Sequence, residues 1–175
     1  MMFTWKLNDL KIKLMAKQKL SLQTLTDMDW SLRCSQTRMQ PNYVPRNVFT
    51  DKTANGLTKC VVTWLTINGW QAERISNTGR YIDNSKIVTN VLGHQKKIGT
   101  GKFIKGSGTN GTADISSTIK GLSIKWEVRM KDKQSDDQKE YQAMIERAGG
   151  KYFIIHDFDE FMMYYKSIVD NTQTF

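Results

Sequence analysis

The chain has 175 residues, enough for one domain with a proper core plus an appendage, and 39% apolar with 25% charged residues is the composition of a folded protein, not a disordered tail. Lys and Arg outnumber Asp and Glu by 26 to 17, a formal charge of +9, which favours a polyanionic partner, either nucleic acid or an anionic membrane surface. No apolar run reaches the length of a membrane span, and Cys34, Cys60, His94 and His156 form none of the closely spaced pairs that a structural zinc site needs.

Residues 1–50 read as a helical appendage and linker, and residues 51–175 as the domain proper. A first helical stretch covers about residues 4–19; Asp9 and the lysines interrupt any apolar h-region, so it is not a secretory signal. A second helix begins near Ser21, with Leu22, Leu25 and Met28 at helical spacing. Trp5 and Trp30 are the partner-contact aromatics of this appendage, and Pro41 and Pro45 give the linker its turns.

In the domain, Leu57, Cys60, Val61, Trp64 and Leu65 form the apolar stripe of an amphipathic helix that Asn68-Gly69 ends. Cys60 on that stripe reads as a small core residue and the compartment as reducing. "WQAERIS" reads as a strand and "NTGRYIDNSK" as a turn-rich loop, where Tyr81 beside Arg80 is either a packed loop tyrosine or a stacking platform for a base. "IGTGKFIKGSGTNG" is glycine-rich and carries Lys102 and Lys105 just after Lys96 and Lys97. It lacks the GK[ST] of a P-loop, so it reads as a flexible connection or as a lysine-bearing loop beside a DNA groove. "TADISSTI" and "LSIKWEVRM" make a hairpin about Lys120-Gly121. "SDDQKEYQAMIERAG" is a helix capped by Ser135, with Asp136 and Asp137 at its positive end. "KYFIIH" is a buried strand, and a last helix carries Phe158, Phe161, Met162, Tyr165 and Ile168 on one face. The order α-β-(loop)-β-β-α-β-α implies a mixed sheet flanked by helices, an α/β or α+β domain.

The second hairpin strand puts Ile124, Trp126, Val128 and Met130 on one face and Lys125, Glu127, Arg129 and Lys131 on the other. Two accounts of the charged face stand open. In one it is simply wet. In the other, the hairpin brings Asp114 beside Glu127, and two neighbouring carboxylates call for a cation such as Mg²⁺. The matching chemistry is metal-assisted phosphodiester hydrolysis, with Asp114, Glu127 and the Val128 carbonyl as metal ligands and a cation on the same face to stabilise developing charge. Gln138 and Lys139 open the next helix toward the same edge.

Gly-Thr-Ala-Asp at 111–114, Glu-Val-Arg at 127–129, Gln-Ser-Asp-Asp-Gln-Lys-Glu-Tyr at 134–141 and Ala-Gly-Gly at 148–150 together resemble the PD-(D/E)xK nuclease superfamily, and within it the VRR-NUC group of bacteria and phages, over residues 53–169. The resemblance implies a restriction-endonuclease-like α-β-β-β-α-β core and a Mg²⁺- or Mn²⁺-dependent DNA endonuclease, with branched DNA as a candidate substrate. It also implies a homodimer and the cytoplasm of a bacterial or phage-infected cell. By resemblance Asp114, Glu127 and Val128 bind the metal, Gln138 lies near the site, and Arg74, Asn77 and Gly79 match a polar cluster after the first helix. Arg129 stands where the family has its catalytic lysine, Ala113 where it has proline, and Asn55 in the region that often carries a further acid, for which Glu73 is the other candidate. Arginine keeps the charge and cannot give up a proton; Lys131, one pleat further on, is the alternative catalytic cation. The competing expectation is a catalytically impaired nuclease-fold module that binds DNA.

Overall fold

The computed structural model describes residues 19–76, 79–104, 106, 108–131 and 133–171. The expected helix before residue 19, and Trp5, Asn77 and Lys105, lie outside the described residues. Among the described residues there are four helices and eight strands. The helices are α1 (Leu20–Gln36), α2 (Ala54–Ile67), α3 (Asp136–Arg147) and α4 (Phe158–Asn171). The strands are β1 (Gln71–Arg74), β2 (Arg80–Ile82), β3 (Lys86–Thr89), β4 (Gln95–Ile98), β5 (Lys102–Ile104), β6 (Ile115–Ile119), β7 (Leu122–Val128) and β8 (Lys151–Ile155).

The central sheet is mixed, in the order β1-β6-β7-β8, with only β7 and β8 parallel. The β6–β7 turn is tight because Lys120 and Gly121 both take positive φ, 48° and 78°, the backbone twist that suits a two-residue hairpin. The parallel pair is joined by α3, as a crossover between parallel strands requires.

One sheet face is the core. Cross-strand pairing puts Ile115 beside Trp126 and Trp126 beside Phe153. Trp126 is fully buried, stacked on Phe153 and edge-on to Phe161 of α4. Its indole N–H donates to Ser117 Oγ at 2.8 Å, so the largest core side chain leaves no polar atom stranded. The predicted α2 stripe Leu57, Cys60, Val61, Trp64 and Leu65 is buried against this face. Burial pushes the Cys60 thiol up to about 11, leaving it an inert core group.

Residues 19–50 share this core. Leu22 and Leu25 of α1 and Phe49 belong to the same buried cluster as α2 and α4. Lys19 ties α1 to the start of α4, with Nζ 3.0 Å from Asp51 and 2.9 Å from Asp157. Burial works against its ammonium, but hydrogen bonds to Asp157 and Asp51 outweigh that and hold it above the ordinary lysine range. Asp51 in turn accepts from the amide of Phe158 at the first turn of α4, at 3.2 Å.

The segment expected as loops, residues 79–104, is instead a β-ribbon. β2 pairs with β5 and β3 with β4, and Arg80↔Ile104, Ile82↔Lys102, Lys86↔Ile98 and Val88↔Lys96 keep one register throughout. Of the glycines that suggested flexibility, Gly99 and Gly101 sit at the interruption between the two ladders and Gly106, Gly108 and Gly111 follow the ribbon, while Tyr81, Ile82, Ile87, Val88, Ile98, Phe103 and Ile104 supply strand-forming side chains. At its base the Tyr81 ring covers Gly101 and the Phe103 ring covers Gly79, each aromatic lying over a glycine of the opposite strand.

Because Leu25 is fully buried, Leu25→Ala is expected to lower unfolding free energy by about 2–5 kcal/mol in chemical denaturation. A loss within about 0.5 kcal/mol would mean that α1 is dispensable to the core.

Candidate active site

The charged face of β7 is covered, not wet. Glu127 is 4% exposed and Arg129 9%: Gln138 in the first turn of α3 bonds to both, and Tyr152 of β8 bonds to Glu127. Met130 and Lys131 lie beyond the last paired residue, Val128, and both are exposed. The alternation predicted to run through residue 131 therefore stops at the strand end. Lys131 does not join the carboxylates.

Glu127 sits between two hydrogen-bond donors and a cation. Gln138 Nε2 donates to its Oε1 at 2.7 Å, and the Tyr152 hydroxyl donates to its Oε2 at 3.2 Å. Arg129 Nε lies 3.2 Å from Oε1, an ion pair between two buried side chains. That N–H is not aimed at the carboxylate, and it is buried with no acceptor among the described residues. The other guanidinium nitrogens are fixed: Nη1 donates to the Lys133 carbonyl at 2.6 Å and Nη2 to Gln138 Oε1.

Gln138 holds the cluster together because it is also part of a helix cap. The Ser135 hydroxyl accepts from the Gln138 amide, and Gln138 Oε1 accepts from the Ser135 amide at 2.9 Å, a capping box at the start of α3. The capping geometry fixes the side chain that then reaches both Arg129 and Glu127.

Asp114 stands one residue before β6, opposite Glu127 in the continued register of Ile115↔Trp126. Its Oδ2 accepts from the Val128 amide at 2.9 Å, and its own carbonyl accepts from Ile75 at 2.8 Å, so it is held from both sides. Oδ1 makes no hydrogen bond among the described residues. A strand residue's amide and carbonyl point the same way across a sheet, so the Val128 carbonyl faces the Asp114 edge, past the end of the β6 ladder. Gly111 backs this segment onto α3 with φ 72°. A Cβ there would meet the Asp137 carbonyl and lie 2.7 Å from the Gln138 amide nitrogen.

Burial, and then the Asp114 charge, pushes the Glu127 carboxyl up to about 7, with Arg129 and Tyr152 pulling the other way. Burial and the Glu127 charge raise the Tyr152 hydroxyl far above its ordinary value, so it stays a donor. The donor set of Asp114, Glu127 and the Val128 carbonyl is all oxygen, which fits Mg²⁺ or Mn²⁺. No group of three or more His, Cys, Asp or Glu that could hold a metal ion gathers among the described residues.

Two clefts adjoin the cluster, one through Gln138 and one through Arg129, and neither is lined by Asp114 or Glu127. One of about 400 Å³ lies between the glycine-rich segment Gly106, Gly108 and Gly111 and the cap residues Ser135 and Gln138. The other, about 480 Å³, is lined by Arg129, Lys133, Gln134, Tyr152 and His156.

Of the expected site residues, Asp114, Glu127, Val128, Arg129 and Gln138 are brought together. Arg74 lies at the end of β1, bonded to Asn55 Oδ1 at 2.7 Å, while Arg80, Lys96, Lys97 and Lys102 are on the ribbon. Glu73 shares the face of Glu127 through Ser116 but is exposed on β1. Sequence reasoning missed Tyr152, whose partnership with Glu127 depends on the parallel β7–β8 register. Comparison with protein-family models, with curated proteins and with solved structures finds no match in any of the three.

A glutamate whose folded pKa lies above its ordinary 4.5 favours the neutral form in the fold, so its contribution is complete below 4.5 and is lost as pH rises through about 7. Relative to Glu127→Gln, the wild type is therefore expected to lose roughly 3 kcal/mol between pH 4.5 and 8, measured by denaturant unfolding at both values. A pH-independent difference would contradict this.

Proposed function

We propose that this chain is a divalent-metal-dependent DNA endonuclease, with its site at Asp114, Glu127, Arg129 and Gln138. The observation that carries the reading is the acid pair itself: buried Glu127, opposite Asp114 in register, with a buried arginine ion-paired beside it. The order α2-β1-β6-β7-α3-β8 supports a restriction-endonuclease-like core, and the excess of Lys and Arg supports a nucleic-acid substrate.

Asp114, Glu127 and the Val128 carbonyl would hold Mg²⁺ or Mn²⁺, which when bound supplies a Lewis acid for the scissile phosphate and the attacking water. Arg129 contributes a permanent charge and the Nε–H to an anionic oxygen entering beside Glu127; it does not act as a base. Gln138 keeps Arg129 and Glu127 in register through the cap of α3. Tyr152 holds Oε2 of Glu127.

One observation favours a second reading, a nuclease-fold module that binds DNA without turnover. The Arg129 guanidinium already stands 3.2 Å from Glu127 and supplies the positive charge that the acid pair calls for.

A panel of labelled branched, nicked, single-stranded and duplex DNAs incubated with Mg²⁺ or Mn²⁺ separates the two. Cleavage by the wild type is expected, reduced at least ~100-fold in Glu127→Ala and in Asp114→Ala. Arg129→Lys, which restores an ammonium point charge at the position, is expected to retain cleavage. No cutting of any substrate, with binding that survives both acid substitutions, would sink the nuclease and leave the binding module.

A further inference from the structure

The ribbon of residues 79–104 is the largest structured feature that the candidate site does not use. Its strands pair with one another and not with the central sheet. Its apolar side chains are exposed: Ile87 at 68%, Leu92 at 77%, Phe103 at 63%. It carries five cations and one acid, Asp83, which is paired with Lys97 at 3.1 Å. Arg80, Lys86, Lys96 and Lys102 make no ion pair among the described residues.

These four cations follow a pattern that the register makes visible. Arg80↔Ile104 and Ile82↔Lys102 share one face of the first ladder, Lys86↔Ile98 and Val88↔Lys96 one face of the second, and every pair joins one cation to one aliphatic side chain. The cation changes strand at each step: first strand, second, first, second. Both long edges of the ribbon therefore carry positive charge, with aliphatic groups between. A surface that enters a membrane is apolar on one side; this face is not, and the opposite one sets Lys97, Thr89 and Gln95 beside Tyr81, Phe103 and Ile87. A ribbon lodged in a groove flanked by two rows of phosphates needs charge on both edges and apolar contact between them, and the major groove of B-form DNA admits a two-stranded ribbon whose aliphatic groups can meet thymine methyls.

The position of the ribbon suits this. Its strands follow β1 and precede β6, whose pairing runs from Gln71↔Thr118 to Arg74↔Ile115, with Ile75 bonded to the carbonyl of Asp114 at 2.8 Å. Both ends of the ribbon thus connect to the strand edge that presents Asp114. From Arg80 to Val88 the ribbon extends about 25 Å, the length of roughly seven base pairs.

The geometry points to the 79–104 ribbon as a groove-reading arm that enters the major groove of B-form duplex DNA, with Arg80, Lys86, Lys96 and Lys102 on the flanking phosphates. It rests on the reading of the neighbouring site as one that acts on DNA.

The test is binding with no divalent metal present, so that cleavage plays no part. Fluorescence anisotropy with a 24-base-pair DNA duplex and an RNA duplex of the same sequence is measured across a salt series. The proteins are the wild type, a ribbon variant (Arg80→Ser, Lys86→Ser, Lys96→Ser, Lys102→Ser) and an equal-charge control (Lys52→Ser, Arg147→Ser, Lys151→Ser, Lys166→Ser). The ribbon variant is expected to bind DNA roughly 100-fold more weakly at low salt, with its log–log salt slope reduced by about 3 to 4. The control is expected to lose far less. The RNA duplex, whose major groove is deep and narrow, is expected to bind at least ~10-fold more weakly than DNA. Wild-type protein is also expected to shield guanine N7, a major-groove atom, from methylation by dimethyl sulfate. Equal losses in ribbon and control variants, equal affinity for RNA, or unshielded N7 would each overturn the arm. Loss of self-association in place of DNA binding in the ribbon variant would overturn it too, because the ribbon would then be an interface between copies. A wild type that binds neither duplex would bring down the nucleic-acid reading itself. Binding that follows the ribbon in a chain that cuts nothing would keep the arm and remove the nuclease.

Discussion

A carboxylate closed under a helix has to be met by donors from the structure around it, and Glu127 organises this protein because so much is committed to meeting it. The strand β7 places it, β8 brings Tyr152 to one oxygen, and Gln138 from the first turn of α3 brings an amide to the other. Arg129, two residues along the same strand face, adds the charge. Removing one member of such a set exposes the others to the full cost of an unpaired buried group, so the set behaves as a unit.

The same unit explains several local choices that look independent. Ser135 caps α3, and through the capping box it fixes the rotamer of Gln138. Gly111, at positive φ, lets the chain press against the first turn of that helix on its way to Asp114. The Val128 amide, left free where the β6 ladder ends, holds Asp114. Each of these is a backbone detail, and each sets the distance between the acids and the arginine. The core on the opposite face, built on Trp126, Phe153 and Phe161, gives the sheet the rigidity that such positioning requires.

Much of this was legible in the residues. Periodicity marked the α2 stripe, the β6–β7 hairpin and the α3 cap, and the spacing of Asp114 and Glu127 across a two-residue turn put the acids together. Two things were not legible. Strand alternation predicts faces but not what covers them, so a face bearing Lys125, Glu127, Arg129 and Lys131 read equally well as a wet surface; only the placement of α3 closes it, and only as far as Arg129. The parallel partner β8 is set by tertiary packing, which is why Tyr152 gave no signal. The ribbon was hidden for a different reason. Glycines at the tip and at the break between its two ladders imitate a flexible loop, and its short strands, 3 to 4 residues each, fall below the length at which alternation can be read.

The account turns on a Glu127 carboxyl held away from its ordinary state by burial and by Asp114. Titrating that carboxyl carbon by NMR, with and without Mg²⁺, tests it most directly. A midpoint near 7 without metal, falling when Mg²⁺ is added, is what the acid pair predicts. A midpoint near the ordinary 4.5 that Mg²⁺ leaves unmoved would mean that the two acids neither crowd each other nor share a cation, and the central claim would fail.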